Sequence, residues 1–269
     1  MAASSRRGRP SWGRRCDDTD MSGDAARALR YWDRAAGAYA ARRRDACLST
    51  ASIYAPVVEA LLGDVRDKRV LDAGCGDGRD ARKLATAGAW VTAVDGSTRM
   101  IALARRETSE ARIEYCVADL TNPLPLRSRS FDVVLANMVL MDIPRVDVAI
   151  AEFARILAAG GVLVFSLPHP CFFCADWVHD RQGARLHKAV ADYLTAKVAQ
   201  LDFWGPTLHF HRPLSSYLDE MSGNGFVLDA VKEPMPTEDA VIQHPDLAHH
   251  RRIPSFIVGR ARLLRFPTP

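Results

Sequence analysis

Residues 68–84, KRVLDAGCGDGRDARKL, constrain this chain more than any other stretch. Val70 and Leu71 make a short apolar run of the kind a buried parallel strand needs, and Asp72 closes it. Gly74, Gly76 and Gly78 then fall at every second position. From Asp80 to Ala87 the spacing is helical, with Ala81, Leu84 and Ala85 as the apolar stripe. The order is therefore strand, glycine turn, helix. Such a turn lets backbone approach a ligand with no side chain between them. It also aims N–H groups and the positive end of a helix at an anionic group, so the turn is expected to present bare amides. A dinucleotide fingerprint, G-x-G-x-x-G, would need glycine at 79, where the chain has Arg79; the pattern here is D-x-G-x-G-x-G.

The same rhythm continues downstream. Residues 90–94 read as a strand ending at Asp95, and 97–106 as a helix capped by Ser97. Residues 113–117 lead to Asp119, and 132–136 to Asn137. A helix over 148–157 stops at Gly160 and Gly161, and 162–167 is a fifth strand. Alternation of this kind predicts a doubly wound parallel sheet. Two helices, 24–44 and 52–62, precede it and can fold over its C-terminal edge. Residues 168–212 break the pattern with a helix over 184–199 and the aromatic run LDFWGPTLHFHRP, which reads as a lid inserted after strand five. A helix over 214–223 and strands at 226–232 and 255–263 finish the sheet, with 233–252 as a loop. Residues 1–20 lack apolar content and read as a disordered tail, leaving 21–269 as one domain.

Composition removes several classes. No apolar run approaches the roughly 18 residues of a membrane span, and the N-terminus lacks the apolar centre of a secretion signal. Six cysteines in 269 residues do not form a disulfide framework. A cytoplasmic protein with reduced thiols is expected, with no membrane partner. The net charge of +4 lies partly in the first twenty residues, so no nucleic-acid footprint is written in the body.

Individual side chains suggest chemistry. A carboxylate at Asp95, closing the second strand, can accept from both hydroxyls of a ribose, or simply cap a turn. His169 follows strand five between Pro168 and Pro170, and His211 lies at the far end of the insertion; either can serve as a general base, being titratable near neutrality. Phe172, Phe173, Trp177, Phe203 and Trp204 can wall a pocket. His169, Cys171 and Cys174 have metal-ligand spacing, but only His179 is near enough to complete a set, so no metal is expected.

Taken together, the glycine turn, Asp95, Asp119 and Asn137 resemble, in order and spacing, the class I S-adenosylmethionine-dependent methyltransferases, particularly bacterial members acting on small molecules. The likeness spans roughly residues 31–263. It implies a Rossmann-like, doubly wound sheet of seven strands, mostly parallel with an antiparallel last strand. It implies S-adenosylmethionine as cofactor. Gly74, Cys75 and Gly76 would cradle its methionine half, with Asp72 ordering the turn. Asp95 would hold the ribose, Asp119 and the Leu120 amide the adenine edge, and Met100 the adenine face. Asn137 and Met138 would approach the methionine moiety, and Tyr39, or Tyr31, would close over the cofactor. The implied reaction is in-line methyl transfer to an O, N or C atom of a small, partly apolar molecule. His169 or His211 would be the base for a hydroxyl or carbon acceptor. The alternatives are RNA (tRNA or rRNA) methylation, for which only the arginine-rich tail, Arg42, Arg43, Arg44, Arg251 and Arg252 speak, and a non-catalytic S-adenosylmethionine-binding protein. The partner is a small molecule rather than nucleic acid, and a homodimer is compatible with the likeness.

Overall fold

The computed structural model describes residues 11–15, 21–45 and 51–264. Its frame is a seven-stranded sheet. Strand β1 (Ser11–Arg15) stands apart from it, and helices α1 (Met21–Asp45) and α2 (Ala51–Leu62) come next. The sheet then begins with β2 (Arg69–Ala73), followed by α3 (Arg79–Thr86), β3 (Trp90–Asp95), α4 (Thr98–Arg106), β4 (Ile113–Val117) and β5 (Phe131–Asn137). After a 3-10 turn at Leu140–Asp142 come α5 (Val146–Ile156) and β6 (Leu157–Pro168). An inserted segment holds α6 (Pro170–Phe173), β7 (Asp176–His179), β8 (Arg185–Ala189), β9 (Lys197–Asp202) and β10 (Pro206–His211). The chain ends with α7 (Leu214–Gly223), β11 (Phe226–Lys232), α8 (Glu238–Gln243), a 3-10 segment at Pro245–Arg251 and β12 (Phe256–Leu263).

Strand order in the main sheet is β11-β12-β6-β5-β2-β3-β4. β12 runs antiparallel to both its neighbours, and the other pairings are parallel. The fold is the expected Rossmann-like sheet. Both faces of its centre are covered, so the central strands β2 and β5 are apolar on both sides. Leu71, Ala73, Val134 and Phe165 pack with Phe153 and Ile150 of α5 and Tyr217 of α7. Val70, Val91, Ala93 and Val133 pack on the opposite side with Leu84 of α3 and Ile53 and Val58 of α2. Among the described residues no helix is long and apolar enough to cross a membrane.

The inserted segment differs from its sequence reading. Residues 184–199 are not a helix: they contain β8 and the start of β9. Leu186, Val190 and Leu194 imitate a helical stripe by their spacing of four, but all three are exposed, so no surface is available to bury it. β9 and β10 pair antiparallel instead and bury Val198, Leu208 and Phe210 against Ala28 and Tyr31 of α1. β1 adds to the free edge of β9, so part of the segment read as a disordered tail is extended and paired; the remainder of 1–20 lies outside the described residues. The loop read over 233–252 includes α8, whose N-cap Thr237 accepts from the Ala240 amide at 3.2 Å.

Candidate functional site

Strands β2, β3, β4 and β5 all deliver their C-terminal ends to one cleft, where ligands bind in sheets of this topology. It is a partly open cleft rather than a closed cavity. Its lining includes ten of the eleven side chains expected to bind cofactor: Tyr39, Gly74, Cys75, Gly76, Asp95, Met100, Asp119, Leu120, Asn137 and Met138. Asp72 is the exception; it is buried and does not line the cleft.

The glycine turn works differently from a nest of free amides. Gly74 N–H and Cys75 N–H both donate to the Val94 carbonyl, at 2.8 and 2.9 Å. Gly76 N–H donates to Asp95 Oδ2 at 2.9 Å. These three donors are already in use. Absence of side chains is what the turn contributes. Gly74 has φ +72°, and a Cβ there would lie 2.3 Å from Val139 Cγ2. The thiol of Cys75 is held well above its usual range by burial, with the charges of Asp72 and Asp95 adding to the effect.

Asp95 also accepts from Ser97 N–H at 2.8 Å through Oδ1. It therefore caps a turn and faces the cleft together. Burial raises its pKa to about 6, although the two amides favour the charged form. Helix α1 is fastened above it. Asp33 accepts from Ser97 Oγ at 2.6 Å and from Arg99 N–H at 3.2 Å, and Leu29 occupies the space a side chain at Gly96 would need. Trp32 and Tyr39 of the same helix line the cleft and meet edge-to-face at 5.6 Å. Tyr39 in turn packs edge-on against Trp204 of the insertion at 5.1 Å. Tyr31 packs toward β9 and β10 instead.

On the opposite wall Ser166 Oγ donates to Asn137 Oδ1 at 2.5 Å, and Asn137 Nδ2 donates to Asp80 Oδ2 at 2.7 Å. This chain fixes the amide's orientation. Met138 follows with φ 56°, a left-handed conformation uncommon for a side-chain-bearing residue and frequent where strands end at sites. Asp119 accepts from Thr121 N–H and Oγ1 at 2.9 and 2.8 Å and from Asn122 Nδ2 at 2.9 Å, so it orders the turn it opens while lining the cleft.

The two histidines are elsewhere. His169 is buried and stacks on Phe172. Its Nδ1 accepts from Cys171 N–H at 3.3 Å, which leaves Nε2–H to donate to Glu233 at 2.9 Å. Burial lowers its pKa despite Glu233. His211 Nε2–H donates to the Tyr193 carbonyl at 2.8 Å. Neither lines the cleft, because each is committed to partners distant in sequence. His169→Ala is therefore expected to destabilise the fold by about 1–2 kcal/mol, through loss of an N-cap and a half-exposed pair, and to leave ligand affinity unchanged. Thermal melts and calorimetry check both halves. Sequence reasoning missed Trp32, Asp80 and Thr121 as lining residues; the helix over 24–44 was visible, but not which of its faces meets the cleft.

Known proteins place this geometry in a family. Residues 71–165 match a family model described as a methyltransferase domain. An S-adenosylmethionine-dependent methyltransferase from Mesorhizobium loti has 30% identity and a TM-score of 0.71, with 78% of this chain and 97% of that one covered. A malonyl-[acyl-carrier protein] O-methyltransferase of Enterobacter lignolyticus is 42% identical over 38% of this chain and 39% of its own length. A demethylmenaquinone methyltransferase of Tropheryma whipplei is 36% identical over 44% of this chain and 49% of its own. The chain thus spans less than half the length of these two curated relatives. With the Mesorhizobium loti protein matched over nearly its whole length, the chain belongs to the class I S-adenosylmethionine-dependent methyltransferase family.

Proposed function

We propose that this protein transfers the methyl group of S-adenosylmethionine to an O, N or C atom of a small, partly apolar molecule. The observation that carries the reading is the convergence of Asp95 and the glycine turn on one cleft. Asp95 has acceptor capacity beyond its two amide bonds and can take a ribose diol. Met100 and Leu120 offer buried apolar faces for adenine, with Asp119 beside them. Gly74 and Gly76 leave room for the amino-acid part, and Asn137 and Met138 face the same space. When bound, the cofactor supplies an electron-poor methyl that a nucleophile displaces in line. The protein's task is to align the two and keep water away, which the α1 wall of Trp32 and Tyr39 favours. The relatives act on malonyl-[acyl-carrier protein] and demethylmenaquinone, which supports an acceptor with apolar parts. The RNA alternative gains nothing from the lining, which contains no Lys or Arg among the described residues.

Binding tests this directly. S-adenosylhomocysteine is expected to raise the melting temperature and NADH to leave it unchanged; the reverse would end the reading. The pH dependence follows from Asp95. Its folded pKa of about 6 is raised by burial, so in the ligand-free protein its stabilising contribution is present below the ordinary carboxylate range and lost as pH rises through about 6. Ribose hydroxyls favour the ionised form, so affinity should rise over that window, by about tenfold from pH 5 to pH 7 if only the carboxylate binds well. Calorimetry at the two pH values measures it, and a flat profile would remove Asp95 from the ribose site.

A further inference from the structure

Among the described residues four carboxylates line the cleft: Asp80, Asp95, Asp119 and Asp142. Three are engaged within the protein. Asp80 accepts from Asn137, Asp95 from Gly76 and Ser97, and Asp119 from Thr121 and Asn122. Asp142 differs. It belongs to the 3-10 turn that follows Met138, and among the described residues no hydrogen bond acts on its carboxyl. Burial pushes its acid well above the usual range, and the charge of Asp95 adds to this.

The group is nevertheless held in place. Its own N–H donates to the Val139 carbonyl at 2.8 Å. Leu140 and Met141 before it are core residues. The carbonyls of Ile143 and Pro144 after it both accept from the guanidinium of Arg212, the first at 2.8 Å. A partly buried acid with no hydrogen-bond partner is costly unless one arrives. Rigid placement beside a ligand cleft makes that partner a ligand group.

The chemistry of that group follows from its surroundings. No Lys, Arg or His lines the cleft among the described residues. Arg212, a few residues away in space, directs its N–H groups at the carbonyls of Phe210, Ile143 and Pro144. Beside Asp142, an acceptor's carboxylate or phosphate would meet like charge and find no cationic side chain. A protonated amine would meet an acid, and the aromatic faces of Trp32 and Tyr39 favour a cation further.

Building on the methyltransferase reading, we infer that the acceptor is a small amine with an apolar or aromatic body, and that Asp142 holds its nitrogen and takes its proton. The proton on the ammonium passes to the Asp142 carboxylate, which frees the lone pair. That pair forms the new N–C bond, the C–S bond breaks, and its electrons stay on sulfur as a neutral thioether. The methylated ammonium leaves, and Asp142 returns its proton to water. A carboxylate made more basic by burial suits this task better than an ordinary one.

Matched probes test it on the full chain saturated with S-adenosylhomocysteine. Tryptamine and indole-3-propionate share a ring and differ in the charge at the end; benzylamine and benzoate repeat the comparison with a smaller body. The amine of at least one pair is expected to bind about tenfold or more tighter than its acid. Asp142→Asn should erase that preference while S-adenosylhomocysteine affinity is kept, which also reports an intact fold. Asp142→Glu should restore the preference and part of the turnover, read as a one-methyl mass gain on the amine with S-adenosylmethionine. Equal or tighter binding of the acids, absence of amine preference in both pairs, or an unchanged preference in Asp142→Asn overturns the inference while leaving the methyltransferase reading intact. Failure of the parent chain to bind S-adenosylhomocysteine sinks both.

Discussion

Asp95→Ala is expected to abolish the rise in melting temperature produced by S-adenosylhomocysteine, with affinity falling by about 100-fold or more. Hydrogen bonds to a charged acceptor contribute about 1.5–3 kcal/mol each, and a ribose diol makes two. The same change acts on the protein itself. Gly76 and Ser97 lose the acceptor for their amides, which destabilises the turn. It also removes a carboxyl whose ionisation is resisted by burial. These two effects oppose, so the ligand-free variant should melt within about 2 kcal/mol of the parent. Calorimetry on a variant that folds and no longer binds separates cofactor binding from structure. An unchanged thermal shift would remove Asp95 from the site and with it the central support for the proposed function.

Gly74→Ala should carry the largest cost in stability. The added Cβ would lie 2.3 Å from Val139 Cγ2 and 2.8 Å from Val139 Cβ, and φ of +72° strains any side-chain-bearing residue. The left-handed conformation costs about 1–2 kcal/mol and overpacking about 1–3, so a loss of about 2–5 kcal/mol is expected. For a domain of this size that corresponds to a fall of roughly 5–15 °C in melting temperature. Adding Val139→Ala removes the nearer of the two clashing carbons, so the double variant should lose less than the sum of the singles. What remains is the strain of the backbone. Additive losses would mean that the turn and Val139 do not meet as described.

The sheet was legible in the sequence because strands buried on both faces must be apolar at nearly every position. Val70–Leu71 and the run beginning at Val133 therefore stand out without knowledge of their neighbours. Strand ends were legible for a related reason: Asp95, Asp119 and Asn137 interrupt those runs where the chain leaves the core. The insertion was not. Leu186, Val190 and Leu194 carry a helical spacing, yet a stripe is only a helix if something covers it, and the covering surface, α1, packs on Val198, Leu208 and Phe210 instead. His169 looked like a base at the mouth of the crevice; its Nε2–H is committed to Glu233, which lies far along the chain.

From residue order alone one could read the succession of main-sheet strands along the chain, the place of the glycine turn and the residues that reach the C-terminal edge, since these depend on local periodicity and backbone freedom. Which polar groups are already satisfied inside the protein emerged from packing alone. The turn's amides point at the Val94 carbonyl and Asp95, and both histidines bind protein partners, while Asp142 keeps its carboxyl open to the cleft. Hydrogen-bond partners come from segments brought together by packing, so no local pattern can announce which acid is left for a ligand.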